Sequence, residues 1–205
     1  MKFFIDTEFN EYFKQYKLSG LPIGNKIPTI DLISIGIVCE NNKTYYALNK
    51  ECNLLDAWND EWIRNNVLYS IYNNLDFNIE KIASFSYAGM QYIFDTYGYK
   101  KTEIASYIKI FVYNNSKDSN IEFYGYYSDY DWVVFCWLFG RMIDLPQNFP
   151  MFCIDLKQIM EHCKLDNEWK IKNCPEPKGE HNALIDALWN RDLYNKIVIN
   201  YLGSK

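Results

Sequence analysis

An α/β domain with a mixed sheet and helices on both faces is the fold class this sequence predicts. Three observations carry the prediction. The early strand candidates arrive as a group with hairpin spacing, and the later ones alternate with helical stretches. A chain of 205 residues and 24.5 kDa with 49% hydrophobic content also suits one domain, 1–205, with an ample core.

The elements follow in order. Lys2-Phe3-Phe4-Ile5 is an apolar run that opens a strand over 2–7. Residues 10–28 are polar and punctuated by Gly and Pro, which predicts a loop or flap-like insertion. Ile30–Glu40 is β-rich, Asn41-Asn42 makes a turn, and Lys43–Asn49 closes a hairpin. Asp56–Leu75 spaces Trp58, Trp62, Val67 and Ile71 in a loosely helical pattern, and Thr102–Tyr113 sets Ile104, Tyr107, Ile108 and Phe111 on one helical face. The stretch between, 76–100, gives no readable pattern. Ile121–Tyr126 is a strand, Asp131–Met142 a helix ending at Gly140-Arg141, and Pro150–Asp155 a fifth strand running into a helix over Leu156–Cys163. Residues 164–179 read as a loop, and a long helix from Asn182 to Leu202 closes the chain.

Composition narrows the function. A net charge of -5 and a pI near 5.1 argue against gripping nucleic acid through bulk basic charge, while leaving a metal-mediated contact open. The six cysteines form no C-x-x-C pair and read as reduced core residues of a cytosolic protein. His162, Cys163 and Cys174 lack metal-ligand spacing for zinc. No signal peptide is visible and the apolar runs are short, so a cytoplasmic protein without membrane contact is expected.

The chemistry sits in two short strings at opposite ends of the chain. Asp6-Thr7-Glu8 closes the first strand, and alternation points Asp6 and Glu8 the same way. Two like charges side by side ordinarily need a cation or a shared proton. Asp186 interrupts the apolar run Ala183-Leu184-Ile185-Asp186-Ala187-Leu188, where a charge needs a partner or a metal; a salt bridge to Arg191 is the plain alternative. His181 stands just ahead of that helix, with Asn182 as its N-cap. Asp129 and Asp131 both open the apolar helix that follows Tyr127-Ser128, and either could serve only the helix dipole. Four carboxylates with one histidine are what two-metal phosphoryl chemistry needs, and hard oxygen ligands select Mg²⁺ or Mn²⁺. A neutral histidine beside such ions can take the proton of the attacking water.

Phe4-Ile5-Asp6-Thr7-Glu8-Phe9, Tyr130-Asp131 and His181-Asn182-Ala183-Leu184-Ile185-Asp186-Ala187 resemble the three motifs of the DEDDh 3′–5′ exonucleases, in order and at suitable separations. Leu32–Val38, Tyr45-Tyr46-Ala47 and Phe139-Gly140 with Leu145-Pro146 and Pro150 look like the mycobacterial-type 3′–5′ exoribonuclease branch. The resemblance spans most of the chain outside 10–28 and 72–101. It implies a ribonuclease H-like fold with a mixed five-stranded sheet, two Mg²⁺ or Mn²⁺ ions per site, and Asp6, Glu8, Asp131 and Asp186 as metal ligands. It implies His181 as general base, RNA 3′ ends as substrate, nucleoside 5′-monophosphates as product, and a homodimer. Asp6 would bridge both ions, Glu8 and Asp186 would complete the nucleophile-side ion, and Asp131 would hold the other. The tyrosine class of the superfamily carries Tyr where this chain has Asn182, which supports the histidine class. One departure is Tyr127, where many members have Asn four residues before the second-motif Asp. The Tyr130-Asp131 step and the helix-start position favour Asp131 over Asp129 as the third ligand. Phe9 and Asn10, next to the first motif, are candidate substrate contacts, with Tyr12 and Phe13 as further stacking candidates. Single-stranded DNA is the alternative substrate, since no residue can be assigned to a 2′-hydroxyl. A non-catalytic nucleic-acid or protein-binding module on the same fold would have lost carboxylates, and none is missing.

Overall fold

A single long strand organises the molecule. The computed structural model describes residues 1–74, 84–117, 119–179 and 181–199. Strand β1, Lys2–Leu18, pairs antiparallel with β2, Leu21–Cys39, which pairs antiparallel with β3, Thr44–Leu48. On its other edge β1 runs parallel to β4, Glu122–Gly125, and β4 parallel to β5, Ile154–Asp155. The sheet is mixed and five-stranded, as expected, and its order is β3-β2-β1-β4-β5. The helices are α1 (Leu54–Asn59), α2 (Glu61–Ile63), α3 (Tyr69–Asn74), α4 (Tyr87–Tyr97), α5 (Lys101–Ser116), α6 (Asp129–Phe139), α7 (Leu156–His162), α8 (Asn167–Asn173) and α9 (Ala183–Ile197).

Alternation along β1 decides which helices go where. Phe3 and Ile5 join Ile35, Ile37 and Phe123 against Ile104, Ile108 and Val112 of α5 and Phe135 of α6. Phe4 turns the other way and meets Val38, Tyr124, Leu156 and Met160 of α7, and Ala187, Leu193 and Ile197 of α9. Helices thus cover both faces. Each buried Phe, Ile or Leu contributes about 1.5–3 kcal/mol of transfer free energy, so both faces are firmly held. A third cluster joins Ile33 and Leu48 to Leu54, Leu68, Ile71 and Phe94, fixing the α1–α4 segment beside the sheet.

Several local expectations are corrected. Residues 10–28 are not a loop: they extend β1 and β2 into a two-stranded ribbon, paired from Glu11↔Ile30 to Leu18↔Leu21. Ser19 and Gly20 turn it with φ of 50° and 84°, the two positive angles a tight hairpin turn requires. Pro22 and Pro28 looked like breakers, but each strand of a ribbon has an unpaired edge where a proline needs no N–H. Gly24, at φ 71°, lies in the irregularity between the Lys14↔Ile27 and Tyr16↔Ile23 pairs. The 56–75 helix breaks at Asp60, whose carboxylate caps α2 by accepting the Ile63 N–H, and continues through a π-helical turn, Arg64–Leu68. Helix α4 lies in the stretch that gave no pattern, and α8 lies inside the supposed 164–179 loop. Helix α6 begins two residues earlier than expected, at Asp129, and only the last two residues of the 150–155 strand are paired. Residues 75–83 and the 200–202 end of the closing helix lie outside the described residues.

Candidate active site

The alternation that buries Phe3 and Ile5 against α5 turns Phe4, Asp6 and Glu8 toward α9. In the β1–β2 register Asp6 is opposite Gly36 and Glu8 opposite Ser34. Gly36 is required there: a Cβ on it would lie 2.1 Å from the Ala183 carbonyl oxygen, because the first turn of α9 crosses the sheet at this point. Two amides hold that crossing. Asn182 caps α9, its Oδ1 accepting from Leu184 N at 3.1 Å and Ile185 N at 3.3 Å. The buried Asn190 donates Nδ2 to the Ile5 carbonyl at 2.9 Å. Between them Asp186 reaches the β1 acids, and Asp6, Glu8 and Asp186 each bring a carboxylate oxygen within 4.8 Å of the others. Asp186 Oδ2 also accepts the Asn182 N–H at 3.1 Å, while the Arg191 guanidinium is engaged by Asp192 and Asn42.

The fourth acid approaches from the other face. Asp131 is buried in the first turn of α6, and its Oδ1 accepts both the Thr7 N–H at 2.8 Å and the Thr7 hydroxyl at 2.6 Å. Asp129, in the same turn, is exposed. The structure therefore separates the two acids that the sequence left in competition. Asp6, Glu8 and Asp186 form the tight group, and Asp131 stands beside it on the Thr7 tether. Thr7 was legible in principle, because period-2 alternation points the middle residue of Asp6-Thr7-Glu8 toward α6. The turn before α6 is braced by buried Asp155, whose Oδ2 accepts the Ser128 N–H at 2.8 Å and whose Oδ1 accepts Gln158 N at 3.0 Å.

His181, at φ 64°, shares a cleft of about 170 Å³ with Asp6, Asp186, Tyr126, Glu176, Trp189 and Asn190. Its ring meets Trp62 edge-on at 4.8 Å between centroids. Trp62 is 57% exposed and was missed as a site residue; a large exposed indole on a polar helix was the available signal. It also lines a neighbouring cleft of about 390 Å³ with Glu8, Phe9, Asn10 and Asp60. Phe9 packs edge-on against Tyr130, and buried Asn10 donates Nδ2 to Asp56 at 3.1 Å. Both candidate contacts border the cleft, with Asn10 held by α1. Tyr12 is half-buried and Phe13 exposed on the ribbon, away from the acids.

Burial and mutual repulsion dominate the electrostatics. Burial, then the charges of Asp131, Glu8 and Asp186, holds the Asp6 carboxyl well above its ordinary range. Burial first, then Asp186 and Asp131, pushes Glu8 up to about 8. Asp131 rises to about 6 through burial, opposed by its two Thr7 hydrogen bonds. Such a group cannot carry its full charge at neutral pH without a cation, and an all-oxygen donor set suits Mg²⁺ or Mn²⁺.

A five-stranded mixed sheet of this order, with Asp6 and Glu8 on its central strand, defines a ribonuclease H-like fold. Its likeness to a solved structure agrees: the Mg²⁺- and Mn²⁺-bound form of Schizosaccharomyces pombe Pop2p matches over the whole of this chain and 85% of its own, with a TM-score of 0.60 at 14% identity. No family model matches the chain. Two curated proteins from Mycobacterium tuberculosis strains, both named 3′–5′ exoribonucleases, are each 30% identical over 191 residues, which is 91% of this chain and 87% of theirs. The chain belongs to this 3′–5′ exoribonuclease family, and so to a family of enzymes. Among the described residues no helix is long and apolar enough to cross a membrane.

Proposed function

We propose that the protein is a metal-dependent 3′–5′ exoribonuclease that releases nucleoside 5′-monophosphates from RNA 3′ ends. The observation that carries this reading is the close group of Asp6, Glu8 and Asp186, of which Glu8 is buried and the other two half-buried, with Asp131 tethered beside it, because repelling carboxylates, three of the four with raised pKa values, are the donor set a pair of divalent cations would stabilise. When bound, such ions supply an acidified water and neutralise charge on the leaving oxygen. Asp6, Glu8, Asp186 and Asp131 are the residues that would hold them. Thr7 fixes Oδ1 of Asp131 and so presents Oδ2 in one orientation. His181 borders the same cleft, and a ring nitrogen of its neutral imidazole takes the proton of the attacking water. Trp62, Phe9 and Asn10 line the adjoining cleft, where an entering strand would meet them. The names of the mycobacterial relatives favour RNA over DNA.

The test is nucleotide release from a 3′-labelled RNA and a DNA of the same sequence, with Mg²⁺, Mn²⁺ or EDTA. RNA should be shortened from its 3′ end, giving 5′-monophosphates only when metal is present, and Asp6→Ala should abolish release. Hydrolysis that survives EDTA, or 3′-phosphate products, would sink the proposal.

A further inference from the structure

The segment that carries His181 is fastened by a buried cation that has no part in the chemistry described so far. Lys170, on α8, is buried, with only 11% of its side chain exposed. Its ammonium lies 5.1 Å from the Tyr126 ring centroid and 5.5 Å from that of Trp189, and it pairs with Glu176. Tyr126, Trp189 and Glu176 all line the cleft that holds Asp6, His181 and Asp186. The Trp189 indole N–H is shared between the Cys174 and Pro175 carbonyls at 3.2 and 3.1 Å. One end of the Cys174–Gly179 segment is therefore tied to α9 through Trp189, one helical turn past Asp186, and to α8 through Lys170. Pro175 and Pro177 stiffen what lies between.

We infer that Lys170 is a positioning residue: paired with Glu176 over the Tyr126–Trp189 platform, it holds the segment leading to His181 so that the imidazole faces Asp6 and Asp186. A buried ammonium is costly without compensation, and here the Glu176 carboxylate, the Tyr126 hydroxyl and the rings of Tyr126 and Trp189 supply it. The arrangement is directional. Of its partners only Glu176 belongs to the segment, so losing the cation removes the fastening at Glu176, leaves those at Cys174, Pro175 and Gly179, and takes no group from the acid cluster. The inference rests on the proposed nuclease reading for its effect on turnover, but the clamp itself has a readout free of that reading.

The experiment compares Lys170→Met, Lys170→Arg and Glu176→Gln in the full chain. The chain has two histidines, so the His181 ring signal is readily assigned by NMR, and the adjacent Trp62 ring shifts it in the wild type. Lys170→Met and Glu176→Gln should move that signal toward a free-imidazole position, and Lys170→Arg should keep it. Turnover of RNA should fall about tenfold to a hundredfold in Lys170→Met, as a misplacement near 1 Å can cost. KM and the Mn²⁺ midpoint should stay within about twofold, as expected when only a transition-state contact is lost. Added to His181→Ala, Lys170→Met should cost nothing further, because both act through one group. Half-exposed Glu176→Gln tests the clamp from its other side should Lys170→Met misfold. An unmoved His181 signal in both variants overturns the clamp, and a loss fully additive with His181→Ala overturns its positioning role. A wild type that degrades no RNA refutes the nuclease reading, and the His181 signal still decides the clamp.

Discussion

Gly36→Ala tests how closely the site depends on one missing side chain. The added Cβ would stand 2.1 Å from the Ala183 carbonyl oxygen and 2.5 Å from Leu184 N, both backbone atoms that no rotamer change can clear. Ordinary contact begins near 3.4 Å, so β2 and the first turn of α9 must separate by about 1.3 Å. That turn carries the Asn182 cap and leads directly to Asp186, so the shift enlarges the gap among three acids now within 4.8 Å. Overpacking of this kind costs about 1–3 kcal/mol in stability. A displacement near 1 Å in a catalytic array costs about 10²-fold in rate. The expected outcome is a protein that still unfolds cooperatively, binds Mn²⁺ at least tenfold more weakly by calorimetry, and turns over RNA about a hundredfold more slowly. Wild-type Mn²⁺ affinity and turnover in Gly36→Ala would refute the argument that the Gly36 crossing sets the site.

The raised carboxyl pKa values predict how the metal-free protein responds to pH. An acid whose folded pKa exceeds its unfolded one binds more protons in the native state, so stability falls as pH rises through that interval. With Glu8 at about 8 and Asp131 at about 6, the metal-free protein should melt several degrees lower at pH 8 than at pH 5.5, and Mn²⁺ should remove most of the difference; a melting temperature in EDTA that rises over this range would contradict the acid cluster. Asp131→Asn should abolish turnover while Asp129→Asn keeps most of it, because only Asp131 is buried on Thr7; equal effects in an RNA assay would return both to a helix-capping role worth under about 1 kcal/mol. His181→Ala should lower turnover about 10²–10⁴-fold while leaving the Mn²⁺ midpoint unchanged, and a wild-type rate at saturating Mn²⁺ would make the histidine a bystander.

Much of the sheet was legible because its strands carry their pattern locally. Lys2–Ile5, Ile30–Cys39 and Thr44–Leu48 alternate or run apolar between turn residues, and they pair in the order the pattern implies. The three acids Asp6, Glu8 and Asp186 were legible because each violates its surroundings, being a charge at the end of or inside an apolar run. What the sequence hid depends on tertiary context. The ribbon over 10–28 is held by cross-strand pairing rather than by burial, so no hydrophobic periodicity marks it. Helix α8 is seven residues of mostly polar chain whose main local sign is the Asp166 cap on Trp169. The Asp129–Asp131 choice turned on burial, and the close approach at Gly36 turned on a helix about 150 residues away in sequence.

The crossing at Gly36 also sets a time order. The hydrogen bond from Asn190 to Ile5 joins residues 185 positions apart, so the acid group cannot be completed until the chain has been made as far as α9. At about 5–20 residues per second, the strand bearing Asp6 and Glu8 waits roughly 10–40 s for the helix that brings Asp186. During that interval the sheet can form on its α5 and α6 face, while the other face lacks α9 and Asp186 has yet to join Asp6 and Glu8. A ribosome-bound chain that ends before residue 180 should therefore protect the β1 and β2 amides only partly from exchange and bind no Mn²⁺. Full Mn²⁺ affinity in such a chain would disprove this order. The acid group would thus be completed only long after the strand that carries two of its members has been made.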